Sequence, residues 1–203
     1  MWDGDAMARG SRPLDYLRRL AVAPRALIIH GNYLVGDEIE FVGQHRDSMS
    51  VAFCPRTHAY FGHPTYPLAA MLDAGVCVVL GTDSRASNPD LSLWGEVQFA
   101  AARYPAVAPA TWVRMATLDG ATALGVGDEV GSLTPGKRAD FVALRCAPGN
   151  DPHLTVTESG GEPIGVWVEG TKGSSGRGAP PSPNLPTEGR GPEGFIDRRL
   201  GIS

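Results

Sequence analysis

The chain is short of cysteine, of long apolar runs and of charge of one sign, and each shortage removes a class of protein. Three cysteines, Cys54, Cys77 and Cys146, are spread over 203 residues. Two of them sit in apolar, strand-like runs, so they read as buried, reduced thiols of a cytoplasmic protein, not as a disulfide framework or a zinc knuckle. No apolar stretch approaches the roughly 20 residues that cross a bilayer. The opening Met1 to Arg12 is polar and acidic, unlike a secretory signal. Eighteen basic and 22 acidic residues are mixed along the chain, for a net charge of −4. That balance fits an ordinary soluble surface; it argues against a nucleic-acid groove or a polybasic membrane patch.

What is present is organised around Val76-Cys77-Val78-Val79-Leu80-Gly81-Thr82-Asp83-Ser84. Five apolar residues run without alternation and stop at a glycine, as in a parallel strand buried on both faces. The carboxylate of Asp83 at the strand's carboxyl end stabilises little there. It is well placed to bind a metal or move a proton, because barrel active sites form on that rim. The local pattern fits equally an aspartate capping the next helix.

Upstream the chain alternates. Pro13 to Leu20 reads as a helix, Ala26 to His30 as a short buried strand, and Asp37 to His45 as a helix with Ile39 and Val42 inward. Ser50 to Cys54 is a second strand, stopped by Pro55, and Pro67 to Ala74 is a helix ended by Gly75. Strand, helix, strand, helix, strand is the pattern of a parallel α/β sheet. His58 and His63 fall in the intervening loop, His45 and His153 on the surface, and Cys54 in the core.

After Asp83 come helical patterns over Leu91 to Tyr104 and Pro109 to Ala116, with a further turn at Ala121 to Leu124. Phe141 to Leu144 and Ile164 to Val168 read as strands, too few for an independent sheet and in need of strands from elsewhere. From Thr171 to Ser203, seven glycines and five prolines occupy 33 residues, a disordered composition. Four segments follow: an extension over 1–13, an α/β unit over 14–128, a β fragment over 129–170 and a tail over 171–203.

The ordered series strand-His30, strand-Cys54-Pro55, strand-Gly81-Thr82-Asp83-Ser84, then Gly131-x-Leu133-x-Pro135-Gly136-Lys137-x-Ala139-Asp140 resembles the C-terminal half of the amidohydrolase superfamily. The likeness is to its chlorohydrolase and nucleobase-deaminase branch, over about Leu14 to Gly170. The resemblance implies an α/β fold: a partial (β/α)8 barrel holding its sixth to eighth strands, plus a fragment of a small β-sandwich. It implies that Asp83 ligates a divalent metal, zinc or iron, and shuttles a proton from the attacking water. His30 would contact the bound water or substrate, and His63 would line the substrate pocket. Ser84, Ser87, Asn88 and Glu96 would support the site, while Lys137 and Asp140 shape the turn into the sandwich. The implied substrate is small, an amine- or halogen-substituted heterocycle or an amide, with no nucleic acid and no membrane.

One departure from the family stands out. The superfamily's first strand carries a His-x-His pair and its fifth another metal-binding histidine; the five histidines here contain no His-x-His. A whole barrel takes about 250 residues, and a catalytic zinc takes three protein ligands, of which this chain offers Asp83. The implied metal site is therefore incompletely ligated. Two expectations follow: a hydrolase of non-peptide carbon–nitrogen or carbon–chlorine bonds whose missing N-terminal half is supplied elsewhere, with self-association as a companion, or a non-catalytic relic.

Overall fold

The computed structural model describes residues 10–145, 151–158 and 162–173. Its first part alternates helix and strand: α1 (Pro13–Leu20), β1 (Ala26–Ile29), α2 (Gly36–Gln44), β2 (Met49–Phe53), α3 (Pro55–Tyr60), α4 (Leu68–Asp73) and β3 (Cys77–Leu80). The three strands form one parallel sheet in the order β1-β2-β3, with Ile28 beside Val51 and Val51 beside Val78. Helices α5 (Leu93–Arg103), α6 (Pro109–Ala116) and α7 (Leu118–Ala123) follow.

Alternate residues of the sheet build the main core. Met49, Val51 and Phe53 of β2 and Val78 and Leu80 of β3 pack with Val42, Leu68, Met71 and Trp112 from the helices. Each such side chain removed from water contributes about 1.5–3 kcal/mol before chain entropy is counted. The opposite face carries a thinner cover, Ala123 of α7 against Ala52 and Val79. At β1 even that is missing: Leu27 and Ile29 are 36% and 55% exposed. The expected buried first strand is thus an edge strand with one bare face. Its Ala26 and Ile28 pack on the core, and the alternation of a half-covered strand replaces full burial.

Two further expectations give way. Pro55 does not merely stop a strand; it opens α3, where a residue without an N–H costs nothing at the first helical position. His58 therefore lies on a helix, not in a loop. His45 is half-buried, not a surface residue, its Nδ1 bonded to the Phe41 carbonyl at 2.8 Å and its ring against Phe41.

The last strands, β4 (Phe141–Arg145), β5 (Glu162–Val168) and β6 (Thr171–Lys172), pair with one another as an antiparallel sheet and need no strand from elsewhere to do so. A tight turn joins β5 to β6, with Glu169 and Gly170 both left-handed (φ 50° and 75°), the primed geometry that suits strand twist. Asp140 Oδ1 accepts from Glu169 N at 2.6 Å, and Lys137 Nζ donates to the carbonyls of Gly127 and Val130. Thr171 and Lys172 are strand, so the stretch read as disordered starts too early; its residues 174–203, like Cys146, lie outside the described residues. A short helix, α8 (Pro152–Thr157), also escaped the sequence pattern; it receives the Trp94 Nε1 hydrogen bond at the Val156 carbonyl. Among the described residues no helix is long and apolar enough to cross a membrane.

Candidate active site

The site forms beyond the carboxyl ends of the parallel strands. His30 follows β1 and Asp83 follows β3, and both are in the left-handed backbone region, at φ 67° and 56°. Side chains with a Cβ rarely occupy that region, at a cost of about 1–3 kcal/mol each unless neighbours over-determine it. For His30 the neighbours are clear: its N–H donates to the Ala52 carbonyl at 2.9 Å, and its own carbonyl accepts from Tyr66 Oη at 2.7 Å. Gly31 next to it is also left-handed, and any Cβ there would meet Val51 Cγ1 at 2.9 Å.

These turns bring His30 Nε2 to 3.8 Å from Asp83 Oδ2, with both side chains partly open to solvent. Strands β1 and β3 lie on either side of β2, about 9–10 Å apart at normal spacing, so the two side chains meet over the end of the middle strand. Beneath them a depression of about 260 Å³ is lined by Ile29, Ala52, Cys54, Val79 and Leu124. Burial, with the charges of Asp83 and Glu96, pushes the Cys54 thiol up to about 12. It stays protonated at neutral pH, a core thiol without ligand or nucleophile character.

The Asp83 carboxylate is further fixed by hydroxyls. Ser87 Oγ donates to Oδ2 at 3.3 Å, and Thr57 Oγ1 lies 3.0 Å from Ser87 Oγ. A carboxylate only accepts, so Ser87 spends its proton there and Thr57 donates to Ser87. Ser84 is exposed, whereas Ser87, Asn88 and Glu96 are buried.

Arg56 and Thr57 are what sequence reading missed. Arg56 is 4% exposed, its Nε donates to Glu96 Oε1 at 2.6 Å, and its Nη2 donates to Asn88, Asp90 and the Ser92 carbonyl. Burial works against the guanidinium's charge, but the bonds to Asp90 and Glu96 outweigh it, and its pKa stands above the ordinary arginine value. A signal was available: a cation in the first turn of a helix opposes the helix dipole, so an arginine just after Pro55 calls for a carboxylate partner.

His63 lies in a separate aromatic group. Its Nδ1 pairs with Tyr33 Oη at 2.8 Å, and its ring packs near His58 and Phe61. His153 is exposed, as expected. Among the described residues no group of three or more His, Cys, Asp or Glu side chains could hold a metal ion.

Comparison with known proteins places the chain in a family. The Amidohydrolase family model matches residues 8–173. The chain belongs to the amidohydrolase family. It is 33% identical over 176 residues to a 5-methylthioadenosine/S-adenosylhomocysteine deaminase of Teredinibacter turnerae, covering 79% of this chain and 39% of that protein. It is 36% identical over 156 residues to a 5'-deoxyadenosine deaminase of Methanothermobacter thermautotrophicus, covering 73% and 35%. Among solved structures, an adenosine deaminase from Xanthomonas campestris with bound zinc superposes with a TM-score of 0.73 at 32% identity, covering 83% of this chain and 41% of that one. Atrazine chlorohydrolase of Arthrobacter aurescens, complexed with zinc, gives 0.72 at 26% identity, covering 83% and 40%. The chain thus spans well under half the length of these relatives, all of them enzymes by name, and its α/β fold has its neighbours in the family's barrel class.

Proposed function

We propose that the chain is the C-terminal part of a metal-dependent hydrolase of non-peptide carbon–nitrogen bonds, of the deaminase type, with the chlorohydrolase reaction as the alternative. On this reading β1, β2 and β3 are the sixth to eighth barrel strands within 14–128, and 129–170 belongs to the β-sandwich. The observation that carries the proposal is the 3.8 Å approach of His30 Nε2 to Asp83 Oδ2, each on a strained strand-end backbone. Strain of that kind concentrates at functional sites.

The donor set fits a metal only in part. A carboxylate and an imidazole face one site, short of the three protein ligands of a catalytic zinc, so the remaining ligands would come from polypeptide that the relatives have and this chain does not span. Zinc, once held, lowers the pKa of its water to about 7. Asp83 would be one ligand, and its carboxylate would accept the water's proton and return it to the departing amine or halide. His30 would hold the attacking oxygen in line or offset the charge that develops on the substrate as it adds. His63, with Tyr33, would border the pocket for an amine- or halogen-substituted ring. The deaminase reading is preferred because the two curated relatives named above, at 33% and 36% identity, bear deaminase names.

The test is to co-express this chain with the part of the Teredinibacter relative outside the match, then measure zinc content and ammonia release from 5'-methylthioadenosine. One zinc per complex and release of ammonia are expected, and Asp83→Asn should cut turnover by about 10²–10⁴ while the fold remains. An Asp83→Asn complex with undiminished zinc and turnover would remove Asp83 from the site.

A further inference from the structure

We infer that Arg56 is a positioning residue: through Glu96 and Asn88 it holds the segment from Thr82 to Ser92 in the conformation that turns the Asp83 carboxylate toward His30. The inference deepens the reading of Asp83 given above and rests on it, adding side chains that touch neither metal nor substrate.

A buried ion pair needs a reason beyond stability, since apolar residues of the same volume commonly serve a core as well or better. Here the bonds themselves give one. The Arg56 N–H and Nε both donate to the Glu96 carboxylate, at 2.9 and 2.6 Å, which fixes α3 against α5. Arg56 Nη2 holds the Asn88 Oδ1, Asp90 Oδ1 and Ser92 carbonyl together, at 3.0, 2.8 and 2.9 Å. Asn88 is the other half of the clamp. Its Nδ2 donates to the Thr82 carbonyl at 2.8 Å and to Glu96 Oε1 at 2.6 Å, and its Oδ1 accepts from Leu91 N at 3.0 Å. The gripped backbone groups, Thr82 O and Leu91 N, adjoin or belong to the only described non-glycine residues of this segment with positive φ, Asp83 and Leu91, both at 56°. The cluster therefore grips the loop where its backbone is strained, at both ends.

Gly95 adds an independent sign that the guanidinium's place is fixed. A Cβ there would lie 2.9 Å from Arg56 Nη1, although alanine would otherwise favour that helical position. Lysine could keep the charge of Arg56 but not its planar fork, and could not satisfy Glu96, Asn88, Asp90 and Ser92 at once.

The test is nuclear magnetic resonance on the isotopically labelled full chain. In the unaltered chain two results are expected: the one-bond Cα–Hα coupling of Asp83 reports positive φ, and the Asn88 side-chain amide exchanges roughly tenfold more slowly than an exposed one, the effect of its two hydrogen bonds. In Arg56→Lys, Asn88→Ala and Gly95→Ala the Asp83 coupling should move toward an averaged value and its contact with the His30 ring should weaken, while the Val51 and Val78 core resonances stay in place. Freely exchanging Asn88 protons in the unaltered chain would overturn the inference. So would an Asp83 coupling unchanged in any folded variant of the three; Gly95→Ala, the mildest, decides if the others do not fold. These readouts need no metal, so undiminished zinc and turnover in the Asp83→Asn complex of the co-expression experiment would sink the Asp83 reading separately.

Discussion

The parallel sheet of β1–β3 buries Met49, Val51 and Phe53 against helices, and beside it α3 and α5 hold the buried Arg56–Glu96 pair, whereas in the antiparallel sheet Val142, Ile164, Val166 and Val168 all face solvent. The other face of that second sheet is held by one exposed-edge stack, Phe141 on Trp167 at 4.7 Å with Lys172 above it. The difference teaches where strain can be stored. His30 and Asp83 keep unfavourable backbone angles because the sheet beneath them has a core to anchor the loops. A left-handed Glu169 in the second sheet sits instead in a hairpin turn that favours positive φ at both central positions.

The sharpest way to break this comparison is at the ionic cluster. Arg56→Met leaves the fully buried Glu96 carboxylate without its cation and should cost about 3–5 kcal/mol in urea unfolding. Pairing it with Glu96→Gln should recover a good part of that loss. A single-variant cost under about 1 kcal/mol would mean that the parallel unit does not depend on its buried charges. Leu68→Ala, in the same core, should cost about 2–5 kcal/mol. Val166→Ala in the second sheet should fall within about 0.5 kcal/mol, because its side chain is already wet. Equal costs for those two would erase the contrast between the sheets.

A smaller effect concerns the bare face of β1. Ile29→Lys should leave stability within about 0.5 kcal/mol yet shift a concentration series in sedimentation toward the slower species, if exposed Leu27 and Ile29 drive self-association. An unchanged series would show that this face is left open without consequence.

How far the sequence foretold these regions follows the same divide. The helix from Pro13 to Leu20 and the one from Pro109 to Ala116 have the bounds their spacing predicts, and the three parallel strands lie within a residue of theirs. Periodicity and breakers carry that information. What the sequence hid was context. Pro55 ends a strand and starts a helix by the same property, its missing N–H, and only tertiary space decides which applies. Whether Ala26 to Ile29 is buried on both faces depends on chain that packs against it, which its own residues do not encode. The His30–Asp83 proximity is a fact of two turns 53 positions apart in register on either side of β2, inferable from family likeness but not from spacing. Arg56 was legible in principle, from a cation set against a helix dipole, but Glu96 is 40 residues away.

The smallest expected effect is a pH dependence carried by His58. Its Nε2 is buried with no hydrogen-bond partner among the described residues, and its pKa lies below the ordinary histidine value, first through burial and then through His63, with a smaller contribution from Arg103. The unfolded chain takes up this proton near 6.5, while the folded chain resists it until lower pH. Between those two values the unfolded state binds more protons, so stability falls as pH drops through that window and is level above it. The slope from one such group cannot exceed about 1.4 kcal/mol per pH unit, and half-burial keeps it smaller. His58→Gln carries no titrating ring and should flatten the difference in urea midpoint between about pH 8 and about pH 5 relative to the unaltered chain. If the two proteins lose stability in parallel over that range, the burial of His58 is not what sets its protonation, and α3 is more open to water than its packing on Phe53 and Tyr66 implies.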